Sequence, residues 1–261
     1  MAVDIGDVEE TWELLVGGDG GDGGDGGPGA GGVLFGFDGP VCRLFPEGSM
    51  WVAEELRHIL DEAGALDILS PRERVDEDPH VVLRAVHRAR GERDVAHLVG
   101  LLDEAAAQGE HAAVRTAPPT PDAHHFVEWL SGLGVRLSIA TDNAERAADH
   151  YLRLHGLRRH FAAVHGRSAD PELMKPHPDV LRRALRDLRL LADDAVLIGD
   201  TPTDFMAAER AGVRFVGYGR DAEKSKRLRD AGAEIVLGSY APLLSLARQR
   251  GVGDVPDTWE P

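Results

Sequence analysis

From residue 33 onward, short apolar runs alternate with stretches in which apolar residues return every three or four positions. Val33–Phe37, Val135–Ala140, Phe161–Val164, Ala195–Gly199 and Val213–Val216 are short and apolar throughout, as strands buried on both faces of a parallel sheet are. Glu234–Leu237 is a further strand-like run. Between them Ala144, Ala147, Ala148, Tyr151, Leu152 and His155 lie on one helical stripe, the apolar face of a helix packed on a sheet. Residues 177–190 and 204–211 read the same way, and Gly212 ends the second of these helices. This alternation predicts an α/β fold, a parallel sheet with helices on its faces.

One region breaks the rhythm. From Gly48 to Arg115 only helical patterns occur: Val52, Leu56, Ile59, Leu60, Ala63; then Val81, Val82, Ala85, Val86, Ala89; then Val95, Leu98, Val99, Leu102, Ala106. We expect an inserted all-helical subdomain over 47–116, left through Pro118, Pro119 and Pro121, because proline favours extended backbone at itself and its predecessor. An insertion directly after the first strand sits over the carboxyl ends of the strands, where open α/β sheets bind ligands. The α/β core is then 33–46 with 117–250, followed by a tail at 251–261.

The first 32 residues differ in composition. They hold eight acids, no bases and 12 of the chain's 31 glycines, which predicts a flexible Gly/Asp-rich leader. Asp19, Asp22 and Asp25 recur every third residue, but calcium-binding repeats also need an apolar position per turn and several stacked copies. The formal net charge of −16 argues against nucleic acid as a partner. A single cysteine, Cys42, excludes an internal disulfide framework and a Cys-rich zinc site. The acidic start and the lack of a long apolar run point to a soluble, cytoplasmic protein without a membrane span.

Chemistry gathers where the strands end. The first runs into Gly36-Phe37-Asp38-Gly39-Pro40, the second into Thr141-Asp142-Asn143 and the fourth into Gly199-Asp200-Thr201-Pro202-Thr203-Asp204, with Met174-Lys175-Pro176 between the last two. Carboxylates, a hydroxyl and one ammonium at one sheet edge are what a magnesium-assisted phosphoryl site requires. In these four motifs the chain resembles the haloacid dehalogenase superfamily, in its phosphoglycolate-phosphatase-like branch with a helical cap. The resemblance covers about residues 33–240. It implies a Rossmann-like core that hydrolyses phosphate monoesters of small metabolites through an aspartyl-phosphate, with Mg2+ as cofactor. By position it makes Asp38 the general acid/base and Thr141 a phosphate donor, with Asn143 beside it on the substrate. Lys175 becomes the charge on nucleophile and phosphate, while Asp200, Asp204 and Asp38 face the metal.

One position departs from that pattern. Where the family carries its nucleophilic, metal-binding Asp, this chain has Gly36, with Pro40 and Arg43 as further differences. Losing the nucleophile of a cooperating unit costs on the order of 10⁴ to 10⁶ in rate, so impaired turnover is expected, with a non-catalytic phospho-ligand-binding module as the alternative. On strand geometry Asp38 lies roughly 6–7 Å from position 36, too far for in-line attack. Cys42 lacks an Arg six residues on, where Gly48 stands. Direct attack by water, with Asp38 as base, stays open, as does a Gly36 variant of an active parent.

Other groupings have plainer readings. His150, His155, His160 and His165 are five residues apart and diverge by about 140° per step on a helix, so they do not converge on one ion. His124-His125 follows Asp122 near a helix start and reads as a cap region. Gly217-Tyr218-Gly219-Arg220-Asp221-Ala222 matches a dinucleotide fingerprint, but the next strand ends without an acid for a ribose. Arg57, His58, Arg72, Arg74, Arg84, His87 and Arg88 lie on the helical insertion, and sequence alone singles out none of them.

Overall fold

The structure, a computed structural model, describes residues 5–17 and 29–255. Among these, six parallel strands form one sheet in the order β3-β2-β1-β4-β5-β6, the doubly wound arrangement of dinucleotide-binding folds. The strands are β1 (Gly32–Phe35), β2 (Arg136–Ala140), β3 (Phe161–His165), β4 (Ala195–Gly199), β5 (Arg214–Tyr218) and β6 (Val236–Leu237). The central ones are buried along their length: β1 and β4 expose nothing, which is why they read as unbroken apolar runs rather than alternations.

Register decides where the chemistry lands. Phe35 of β1 is level with Ile139 of β2 on one side and with Ile198 of β4 on the other. The residues that leave these three strands therefore emerge side by side at the point where the strand order reverses. β1 ends at Phe35, two residues before the expected end. Gly36, Phe37 and Asp38 belong to the following loop, so extended-strand spacing does not govern the distance between positions 36 and 38.

The insertion forms α2 (Met50–Glu62), α3 (Pro79–Ala89) and α4 (Ala96–Ala113). Leu56, Leu60, Val82, Val86 and Leu102 make their own apolar cluster, and Phe45 packs against both this cluster and the main core. The sheet is covered by α5 (Ala123–Gly132), α6 (Glu145–Leu154), α7 (Asp179–Leu188), α8 (Pro202–Ala211), α9 (Ala222–Asp230) and α10 (Ala241–Arg250).

The expected flexible leader needs correction in its first half. Ile5–Val16 is a helix, α1, and Val8, Trp12 and Leu15 on its inner stripe belong to the main core. Trp12 stacks on Trp129 with ring centroids 5.8 Å apart, and the Arg250 guanidinium lies 4.9 Å over the Trp12 ring. Asp7 pairs with Arg229 and Glu9 with Arg250. The Gly/Asp run at 18–28, with its spaced aspartates, lies outside the described residues. The tail is also anchored at its start: Trp129 Nε1 donates to the Val252 carbonyl at 2.9 Å, while residues 256–261 lie outside the described residues.

Replacing Trp12 removes a fully buried aromatic, so Trp12→Ala is expected to lower stability by about 3–5 kcal/mol in urea unfolding, against less than about 1 kcal/mol for Glu9→Ala at the exposed rim. Equal, small losses for both would mean that α1 is not part of the folded core.

Candidate active site

The loop after β1 is held by its neighbours. Gly36 N–H donates to the Ile198 carbonyl at 2.9 Å, and Thr120 Oγ1 and Tyr240 Oη donate to the carbonyls of Gly39 and Pro40. Gly39 has φ +102°, and a Cβ there would sit 2.3 Å from the Asp200 carboxyl carbon; only glycine permits this approach of the two loops. Gly36 is different. A Cβ at this position meets Pro40 Cγ at 3.4 Å and the Ile198 carbonyl at 3.5 Å, ordinary contacts, so nothing steric demands glycine. Asp38 accepts from Leu44 N–H at 2.8 Å, and burial raises its carboxyl above the usual range. Burial likewise pushes the Cys42 thiol well up, leaving it a poor nucleophile.

At the end of β2, Thr141 Oγ1 donates to Asn143 Oδ1 at 3.0 Å and accepts from Asn143 N–H at 3.1 Å. Lys175, reached through a loop before α7, donates from Nζ to the Ala140 carbonyl at 3.2 Å and pairs with Asp204 at 2.5 Å. Burial alone would depress its pKa, but Asp204 and Asp142 outweigh it and hold the ammonium charged. Thr201 and Asp204 form a capping box at the start of α8: Asp204 Oδ2 accepts from Thr201 Oγ1 at 2.6 Å and from the N–H groups of Thr201 and Asp200 at 3.0 and 3.2 Å. Asp200 is paired with Lys224, and burial still raises its carboxyl.

All six residues expected from sequence, Asp38, Thr141, Asn143, Lys175, Asp200 and Asp204, line one cavity of about 320 Å³ together with Gly36. The metal set expected at Asp38, Asp200 and Asp204 is not assembled there. Each of these carboxylates is engaged by a protein donor, respectively Leu44 N–H, Lys224, and Lys175 with Thr201. Among the described residues no group of three or more His, Cys, Asp or Glu side chains is placed to hold a metal ion. Magnesium is usually held by one or two carboxylates together with water and substrate oxygens, and here Asp200, the carboxylate expected on the metal, is paired with the Lys224 ammonium, so the donor set as it stands fits a divalent ion only if Lys224 moves away.

The insertion and the core around it supply residues that sequence reasoning did not single out. Glu110 of α4, fully buried, accepts from Ala144 N–H at 2.7 Å and from Asn143 Nδ2 at 3.4 Å. Arg167, after β3, donates to both Glu110 oxygens at 2.7 and 2.8 Å and to Asp103 at 2.6 Å. His80, at the start of α3, lies 3.2 Å from Asp78 and 3.6 Å from Glu110. Burial opposes both charges. His80 and Arg167 nevertheless hold the Glu110 carboxyl down at about 2, and Asp78 with Glu110 lifts the His80 imidazole to about 9. Arg84 reaches across to the Lys175 carbonyl at 3.0 Å. Arg57 and Arg88 instead bond within the insertion, and His87 pairs with Asp170. Lys224 also lines the cavity. In sequence these were charges on helical faces or, for Arg167, in a loop, and only their approach to the strand-end motifs after folding marks them.

The remaining groupings disperse. His155 lies tilted against Tyr151 and His150 against His111, while His160 lies near Glu128 and His165 near Asp187. His124 bonds Tyr151 at 3.1 Å, and Asp122, expected as a cap, makes no side-chain cap bond. Residues 219–221 link β5 to α9, with Ser225 Oγ donating to the Gly219 carbonyl at 3.0 Å.

A family model described as haloacid dehalogenase-like hydrolase matches residues 73–218, more than half of the chain but starting beyond Gly36. Phosphoglycolate phosphatase 1 of Pseudomonas aeruginosa is 27% identical over 171 residues, 66% of this chain and 61% of that protein. The tyrosine-protein kinase PtkA of Mycobacterium tuberculosis is 39% identical over 95 residues, 35% of this chain and 32% of that one. The chain thus spans less than two thirds of the length of either relative. A predicted phosphatase from Clostridium acetobutylicum superimposes with a TM-score of 0.59 at 19% identity, covering 84% of this chain and 99% of that one. CbbY from Rhodobacter sphaeroides, in complex with phosphate, gives 0.58 at 21%, covering 82% and 96%. At such identities the likeness is one of fold.

The Glu110 network has a pH signature. Because the His80 pKa is raised from 6.5 to about 9, its stabilisation is complete below the unfolded value and is lost as pH climbs through the folded one. Glu110, lowered from 4.5 to about 2, stabilises above its unfolded value and fails as pH falls through the folded one. Between pH 6.5 and 9 the melting temperature of the wild type should therefore fall more steeply than that of His80→Gln. Parallel melting curves across that window would count against the network.

Proposed function

Since this chain belongs to the haloacid dehalogenase-like hydrolases, we propose that its cavity recognises the phosphate group of small phosphorylated metabolites and that its hydrolytic step is impaired at Gly36. The observation that carries this is local. Groups suited to phosphate and acids converge on one cavity, while position 36, where the resemblance expects the nucleophile, is a glycine at which a Cβ would make only ordinary contacts.

The roles follow from the groups present. The charged Lys175 ammonium and the Thr141 hydroxyl attract and orient phosphate oxygens, and Asn143 fixes the Thr141 hydroxyl. Asp38, with its carboxyl raised by burial, is suited to hold a proton for a leaving oxygen. Ser49, Pro79, His80 and Arg84 close the cavity from the insertion, beside Phe45 of the core, so the insertion acts as a cap and limits the ligand to small size. A cavity of about 320 Å³ is at the lower end of small-molecule sites. Magnesium, generally used by phosphatases of this family, does not fit the donor set as it stands. A second reading, a non-catalytic phospho-ligand-binding module, is favoured by one observation: Lys224 already occupies Asp200. Turnover separates the two.

With an aryl phosphate and magnesium present, wild-type phosphate release is expected near background. Gly36→Asp should exceed it by on the order of 10³ or more, and Gly36→Ala should not. Comparable rates for wild type and Gly36→Asp would mean that another group attacks, and the impairment would be withdrawn.

A further inference from the structure

We propose that the Lys224 ammonium is a built-in replacement for the divalent cation, so that this cavity binds phosphate-bearing ligands without any added metal. The proposal rests on the phosphate-site reading above and adds what balances its charge.

Lys224 is placed by its local sequence. Asp221 caps α9 and accepts from Lys224 N–H at 2.8 Å, while Ser225 ties the preceding loop through the Gly219 carbonyl. The close packing of Gly219 on Ser225, where a Cβ would lie 2.3 Å from Ser225 Oγ, keeps this turn against the site. From the first turn of α9 the side chain reaches Asp200, and its charge is also felt by Asp38. It thus pairs with Asp200 and lines the same cavity as Gly36, Asp38 and Lys175.

The charges agree with this role. A carboxylate at position 36 together with a divalent ion contributes a net +1 to the cavity; Gly36 together with an ammonium contributes the same. In electrostatic terms Gly36 with the Lys224 ammonium is therefore equivalent to a carboxylate with a divalent ion. Asp200 keeps a cationic partner, and the cavity keeps two ammonium groups to face a phosphate dianion. With Asp200 held in this way, a magnesium ion would have to displace Lys224 and would find no third carboxylate.

Isothermal titration of inorganic phosphate into the full-length protein tests this. Wild type is expected to bind phosphate with the same affinity in EDTA and in magnesium. In EDTA, Lys224→Met should lose about tenfold or more, the weight of one charge-assisted hydrogen bond, while Lys224→Arg should retain most of the binding. Thermal melts of all three proteins establish that each is folded, and manganese titrated into wild type should give no bound-ion signal in electron paramagnetic resonance. Phosphate binding by wild type only with magnesium, or undiminished binding by folded Lys224→Met in EDTA, overturns the proposal and leaves the phosphate site standing. Absence of phosphate binding under both conditions overturns the site itself, and the proposal with it.

Discussion

A buried ammonium group has to be matched, and the match made by Lys175 organises this protein. Removing a charge from water costs several kcal/mol unless an opposite charge and hydrogen bonds replace the solvent. Here Asp204 supplies the charge and the Ala140 carbonyl a further acceptor. The other oxygen of Asp204 gathers the N-terminus of α8, so one ion pair fixes the end of β2, the start of α8 and the loop before α7 relative to each other. Asp142 receives the Lys175 N–H and Arg84 donates to its carbonyl, which refers the insertion to the same residue.

A second buried charge cluster joins insertion and core. Arg167 belongs to the core and Glu110 to the last helix of the insertion, and their bidentate pair is almost wholly withdrawn from solvent. Such a pair is seldom a net source of stability relative to apolar packing, but separating its members is expensive. This pair ties the insertion to the sheet beside the Asn143 side chain and the Ala144 N–H, which Glu110 also engages.

The sheet was readable because its strands are buried on both faces and so short that each is nearly all apolar. The site was readable because polar residues interrupt those runs at one end only. Helix α1 was masked by the glycine and acid content around it, although Val8, Trp12 and Leu15 carried the helical stripe. Glu110, Arg167 and Lys224 were invisible for a physical reason. A charged residue on a helix or in a loop looks the same in sequence whether it faces water or a buried partner, and only the tertiary approach of distant elements separates the two cases. Strand spacing does not set the position of Asp38, since β1 stops at Phe35 and the chain turns through Gly39.

The open space beside Gly36 has a further meaning. In a pocket where Asp38 and Asp200 already resist ionisation, one more carboxylate would crowd like charges together and strain the folded state against its own chemistry. Reactive sites commonly carry such frustration as the cost of function. A glycine at this position leaves that charge out while its N–H still donates to the Ile198 carbonyl, so the folded state is spared the repulsion.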